Sequence, residues 1–143
     1  MDINLTGYFH TSQLAAHAML ERSRKGSIVN NSSVAAFVGI PGLLAYSAAK
    51  AGVNSITRGM AVEWATRGIR VNAFAPGYIA NIMRDATEDL ARPEKQEEII
   101  TSTPMKRFGL PAELIGPVAF LASDASSYVT GTVLPVDGGY TAL

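Results

Sequence analysis

No cysteine occurs among the 143 residues. Disulfides and thiolate metal sites are thereby excluded, and a cytoplasmic location is the expectation. A surplus of charge is equally lacking, with 12 Lys and Arg against 12 Asp and Glu. Nothing electrostatic therefore favours nucleic acid or an acidic membrane surface as partner. No apolar run approaches the ~20 residues that a membrane helix needs. The opening Met1-Asp2-Ile3-Asn4 lacks the basic region of a secretory signal. Histidine is scarce too. His10 and His17 are seven apart, not at the i, i+4 spacing of a helical metal pair, so no metal is expected. What is present is hydrophobic: 48% of the chain, enough for one domain to bury a core.

Taken in order, the chain alternates. Residues 4 to 22 read as a helix, with Leu5, Phe9, Leu14, Ala15, Ala18 and Met19 at helical spacing and Lys25-Gly26 closing it. Ser27 to Asn31 is a short strand. A second helix spans about 44 to 65, its first half crowded with Ala45, Ala48, Ala49, Ala51 and Gly52, which would let another backbone approach closely. Gly68 is positioned to cap it. Ile69 to Ala75 reads as a buried strand stopped by Pro76-Gly77. Residues 78 to 103 turn charged, with Asp85, Glu88, Asp89, Glu94, Glu97 and Glu98, and read as an insertion holding one or two short helices on a solvated face. A helix from Pro111 to Ser123 should be distorted in its first half, because Pro117 falls inside it. Thr132 to Val136 is a last strand before the Asp137-Gly138-Gly139 turn. Helical crossovers between apolar strands imply an α/β fold with a parallel sheet.

One stretch carries chemistry. Tyr46 and Lys50, four apart, share a helix face. Ser33 lies thirteen residues before the tyrosine, just beyond a strand end, where ligands bind in an open parallel sheet. A free phenol titrates near ~10, too high for a base at neutral pH. An ammonium ~5 Å away, at an effective dielectric of ~20, favours the phenolate by about 3 kcal/mol. Taken alone, Tyr46 and Lys50 read more readily as a snorkelling surface pair than as a catalytic one; Met60 and Trp64 read as core or as subunit contact.

Tyr46-x-x-x-Lys50 with Ser33, Asn4 in an N-L-x-G helix start, Arg70-Val71-Asn72, Pro76-Gly77, Arg107-x-Gly109-x-Pro111-x-Glu113 and Asp137-Gly138-Gly139 occur in that order. Together they resemble the C-terminal half of the short-chain dehydrogenase/reductase family. The resemblance covers nearly the whole chain, so residues 1–143 are taken as a single partial domain. It implies a partial Rossmann-type, doubly wound parallel sheet of about three strands, with 78–103 as the substrate loop. It also implies an oxidoreductase interconverting an alcohol and a carbonyl with NAD or NADP. Tyr46 would be the general acid/base, Lys50 the residue that tunes it and holds the nicotinamide ribose, and Ser33 the donor to the reacting oxygen. Asn4 would anchor a water that passes protons to Lys50. Pro76, Gly77 and Ile79 would line the nicotinamide, and Asn81, where the family usually has threonine, would meet its carboxamide. The substrate would be a small ketoacyl thioester or sugar acid. Glu63-Trp64-Ala65 and Pro76-Gly77-Tyr78 lean towards the gluconate type. A homodimer or homotetramer would form through the helices at 4–22 and 44–65, and the strand at 27–31 would be an exposed edge.

The family's glycine-rich T-G-x-x-x-G-x-G turn and N-N-A-G segment do not occur in these residues. With them goes the backbone cradle for a pyrophosphate. Met1 stands where the family has an ordinary helical residue, leaving open a piece of a longer protein or a natural half. The alternative function is then a catalytically inactive fragment acting as an oligomerisation or interaction module.

Overall fold

The computed structural model describes residues 1–80 and 92–143. Asn81, together with Asp85, Glu88 and Asp89, lies outside the described residues. A π-helical turn, Asp2–Thr6, leads into α1, Gly7–Glu21. Then follow β1 (Gly26–Asn31), α2 (Leu44–Trp64), β2 (Ile69–Pro76), α3 (Pro93–Ser102), α4 (Ile115–Ala122) and β3 (Val133–Val136). The strands form one parallel sheet in the order β1-β2-β3, with Asn31 beside Phe74 and Pro76 beside Val136. Parallel neighbours require long crossovers, and the helices supply them.

β2 is the central strand, and its composition shows why. Ile69, Val71, Ala73 and Ala75 are all completely buried, as is Asn72 on the opposite face. Asn72 is satisfied there: its Nδ2 donates to the Val129 carbonyl, and its Oδ1 accepts from Thr132 N. Arg70 emerges beside it and donates to the carbonyls of Leu121, Ser123 and Val129 and to Ser126 Oγ. A cation thus neutralises the carbonyl-rich end of α4. The Arg70-Val71-Asn72 motif is a brace between sheet and last crossover.

The core joins Ile28, Ile69 and Val71 of the sheet to Ala16 of α1 and Met60 and Ala61 of α2, with Trp64 packed against it. α1 turns differently from its apolar pattern. Phe9, Leu14 and Ala18 face outward, whereas Ser12 and Ala16 are buried. The reason is a polar seam. Ser12 Oγ donates to Asn30 Oδ1 (3.1 Å), and Asn30 Nδ2 donates to Thr57 Oγ1 (3.0 Å), linking α1, β1 and α2. Buried polar groups are tolerated when they satisfy one another.

Gly68 caps the end of the α2 segment in the left-handed region (φ 78°), as its position indicated. The stretch from Pro111 is distorted in its first half, as expected. A 3₁₀ turn, Pro111–Leu114, precedes α4, which begins only at Ile115. Pro117 then sits in the first α-helical turn, where its missing N–H breaks no bond. α4 buries Leu121 fully but leaves Ile115 and Phe120 exposed. β1 is an edge strand, and beside it a groove of about 390 Å³ runs past Ile3, Tyr8, Ala15, Ile28 and Val29.

Candidate active site

The site is assembled at the C-terminal end of β1. Lys50 is the fixed point: it lies on the inner face of α2 and is only 3% exposed. Its Nζ donates to the backbone carbonyl of Asn31, the last residue of β1, at 2.8 Å. It also reaches the Tyr8 hydroxyl of α1 at 3.3 Å, lying 4.6 Å from the centre of that ring. Tyr46, one turn earlier on α2, places its ring centre 5.7 Å from the same nitrogen. Burial lowers the Lys50 pKa, and the charge of an ionised Tyr46 acts in the opposite direction. A buried lysine aimed at a strand end, with a phenol beside it, is not a snorkelling surface pair.

Ser33 stands two residues beyond β1 in extended backbone and caps the short turn Val34–Ala36. Its Oγ accepts from Ala35 N at 3.2 Å. With a lone pair engaged by the backbone, its own O–H remains available to donate. Ser32, its neighbour, is buried and bonded to Asn54 Oδ1, so it serves the packing of β1 on α2. Beside Tyr46, the Ser47 hydroxyl is buried without a partner among the described residues. Such a group costs about 1–3 kcal/mol, a kind of cost that calls for an explanation where it occurs. Asn4 is half-buried in the π-helical turn, which packs against α2. It makes no direct bond to Lys50; Tyr8, four residues on, does. Tyr8 was missed in the sequence because an aromatic at an N-L-T-G-Y-F helix start reads as ordinary packing.

At the ends of β2 and β3, Pro76 and Gly77 close against the final turn. Gly77 N donates to the Val136 carbonyl, and a side chain at Gly77 would meet Asp137 Cα at 2.8 Å. Although burial opposes it, the Thr141 hydroxyl and the backbone amides of Thr141 and Gly139 hold the Asp137 carboxyl below its ordinary range. Ile79 is buried and forms a bridge with Gly109. In that bridge Gly109 N donates to Tyr78 O and Ala80 N to Gly109 O. The N–H and C=O of Ile79 itself therefore turn to the opposite side. A cavity of about 400 Å³ lies here, lined by Tyr78, Ile79, Met105, Arg107, Glu113 and Asp137 among others, and Ser33, Tyr46 and Lys50 lie outside its walls. Tyr78 stacks edge-to-face on Tyr140 at 5.4 Å, and burial, then Tyr140 and Glu98, push its phenol well above the ordinary range. The Arg107–Glu113 pair is exposed and bidentate, both bonds 2.7 Å. Glu113 also accepts from Leu110 N, so this motif clamps a turn.

The described residues hold no cluster of three or more His, Cys, Asp or Glu able to bind a metal, and no helix among them is long and apolar enough to cross a membrane. The ammonium of Lys50 and the outward backbone N–H and C=O of Ile79 are donors and an acceptor of the chemical kind that a ribose and a carboxamide bind.

A parallel sheet with helical crossovers, carrying a lysine and a tyrosine on α2 and a serine just past β1, defines one half of a Rossmann-type fold. The chain belongs to the short-chain dehydrogenase/reductase family, and the family model described as Enoyl-(Acyl carrier protein) reductase matches residues 1–141. It is 47% identical over 139 residues to a 3-oxoacyl-[acyl-carrier-protein] reductase, FabG, of Staphylococcus aureus, covering 97% of this chain and 54% of the relative. It is 43% identical over 143 residues to the 2-dehydro-3-deoxy-D-gluconate 5-dehydrogenase of Escherichia coli, covering 99% and 55%. The crystal structure of a gluconate 5-dehydrogenase from Burkholderia cenocepacia, in complex with NADP and tartrate, superposes with a TM-score of 0.94 at 37% identity, covering all of this chain and 55% of that one. The chain thus spans about half the length of the curated relatives it matches.

Proposed function

We propose that this chain is the catalytic half of an NAD(P)-dependent oxidoreductase that interconverts an alcohol and a carbonyl. The observation that carries the reading is the buried Lys50 ammonium, anchored on the β1 carbonyl with Tyr46 beside it. A bound NAD or NADP supplies the hydride acceptor or donor. Tyr46 exchanges a proton with the substrate oxygen, and Lys50, held charged next to it, favours the phenolate that this exchange leaves. Ser33 donates its free O–H to the same oxygen and so orients it. Asn4, on the turn against α2, holds the water that connects Lys50 to solvent. Pro76, Gly77 and Ile79 would receive the nicotinamide, and Asn81, outside the described residues, is the sequence candidate for its carboxamide.

The substrate class is a 3-oxoacyl thioester or a sugar acid, supported by the named activities of the Staphylococcus aureus and Escherichia coli relatives. The pyrophosphate end of the cofactor needs glycine-rich backbone that these residues do not contain. We therefore test the chain alone and mixed with the separately expressed N-terminal half of the Staphylococcus aureus relative. Titration with NADH and NADPH, followed by cofactor fluorescence, should show binding in the mixture. Carbonyl-dependent oxidation of the cofactor should then fall ~10²-fold or more in Tyr46→Phe. A mixture that forms but neither binds cofactor nor turns over rejects the reading.

Association is proposed through α1 and α2. The outer face of α2 presents Leu44, Ala48, Ala51, Ser55, Gly59 and Val62, all exposed and spaced three or four apart. Leu44 and Val62 are 85% and 81% exposed, and α1 adds Leu14 at 69%. Small residues flanked by apolar ones let two helices approach closely, which suits a homodimer or homotetramer. The same face supports the second reading, an inactive interaction module, which the cofactor titration separates from the first.

A further inference from the structure

Lys50 must remain charged to act on Tyr46, yet it is 3% exposed, and burial disfavours its charged form. Something else in the fold has to offset that. The Asn31 carbonyl takes one of its three N–H donors. A second points to the Tyr8 hydroxyl at 3.3 Å, and the ring of the same residue lies 4.6 Å from the nitrogen. Both a phenol oxygen and the face of an aromatic ring favour a cation. Burial raises the pKa of Tyr8, so its phenol stays neutral and keeps this acceptor character without adding a charge of its own. Among the described residues, the titratable groups facing Lys50 are thus Tyr8 from α1 and Tyr46 from α2, and β1 contributes its carbonyl.

We propose that Tyr8 is a positioning residue for the reaction: its hydroxyl and ring hold the Lys50 ammonium charged and turned to the end of β1, leaving the third N–H for the cleft where Tyr46 lies. The reaction is that of the preceding subsection, on which this inference rests. Tyr8 touches neither substrate nor cofactor in this role and acts only through Lys50. It stands in the first turn of α1, directly after the π-helical turn Asp2–Thr6.

The chain contains four lysines, Lys25, Lys50, Lys95 and Lys106, so a sample labelled with ¹³Cε-lysine resolves them one by one, with Lys50→Arg identifying the Lys50 signal. The titration midpoint of Lys50 is read in the 143-residue chain without cofactor. Tyr8→Phe keeps the ring and removes the acceptor, and the midpoint should fall by about one unit. Tyr8→Leu removes both and should lower it further, while Lys25, Lys95 and Lys106 stay unchanged in either variant. Circular dichroism verifies that each variant is folded; if Tyr8→Leu is not, Tyr8→Phe decides alone. A folded Tyr8→Phe whose Lys50 midpoint matches that of the parent chain overturns the proposal. This readout needs no turnover, so its failure is distinct from a failure to bind NADH or NADPH.

Discussion

Lys50 differs from an ordinary helix lysine in what surrounds it, not in its own chemistry. Buried between α1, α2 and the end of β1, it exchanges water for a carbonyl, a phenol and two ring faces. The same logic with the opposite sign operates at Glu113, which lies on the surface. The Arg107 side chain and then Leu110 N bond to its carboxylate and hold its pKa down to about 2. An unfolded glutamate titrates near ~4.3. The folded value is therefore depressed, so the pair's contribution is present above pH ~4.3 and is lost as the pH falls from there through about 2. Urea unfolding of the parent chain and of Glu113→Gln, followed by Trp64 fluorescence at pH 7, 4 and 2.5, checks this. The parent's advantage should be full at pH 7 and smallest at pH 2.5, with the screening expected of an exposed pair keeping it modest throughout.

Elements here meet where a side chain is missing. The end of β2 crosses the final turn at Gly77, where an added Cβ would come within 2.8 Å of both Cα and Cβ of Asp137. Backbone cannot yield as a flexible side chain can. Gly77→Ala should therefore destabilise the chain by about 1–3 kcal/mol, as overpacking does, measurable as a lower urea midpoint. The contrast is Gly52, where an added Cβ meets only the tip of Leu5, which can move. The Pro76-Gly77 step was legible as strand punctuation; that its glycine accommodates a neighbouring turn was not, because Asp137 is sixty residues away in sequence.

At the scale of the whole molecule, several surfaces are left uncovered among the described residues: the free edge of β1 with its groove, the side of α4 that carries Ile115 and Phe120, and the small-residue face of α2. An exposed strand edge is a template for further pairing. The α2 face makes the sharper forecast, since a carboxylate at its centre would be desolvated in any helix-to-helix contact. On the proposed association through this face, Ala51→Glu should shift the sedimentation profile towards monomer without altering the circular dichroism spectrum. An unchanged profile would assign association to another surface.

What the sequence determined by itself was largely local or ordered along the chain: the alternation of helix and strand, the parallel sheet, the glycine at 68, and the spacing of Ser33, Tyr46 and Lys50. Those follow from backbone conformation, side-chain period and crossover length, all of which act over a few residues. Only tertiary structure decided which face of α1 turns inward, because Ser12 is drawn in by Asn30 and Thr57 from two other elements. It also decided that Tyr8 is the partner of Lys50 across 42 positions. Each of these depends on groups distant in sequence, whose interaction appears only once packing has brought them together.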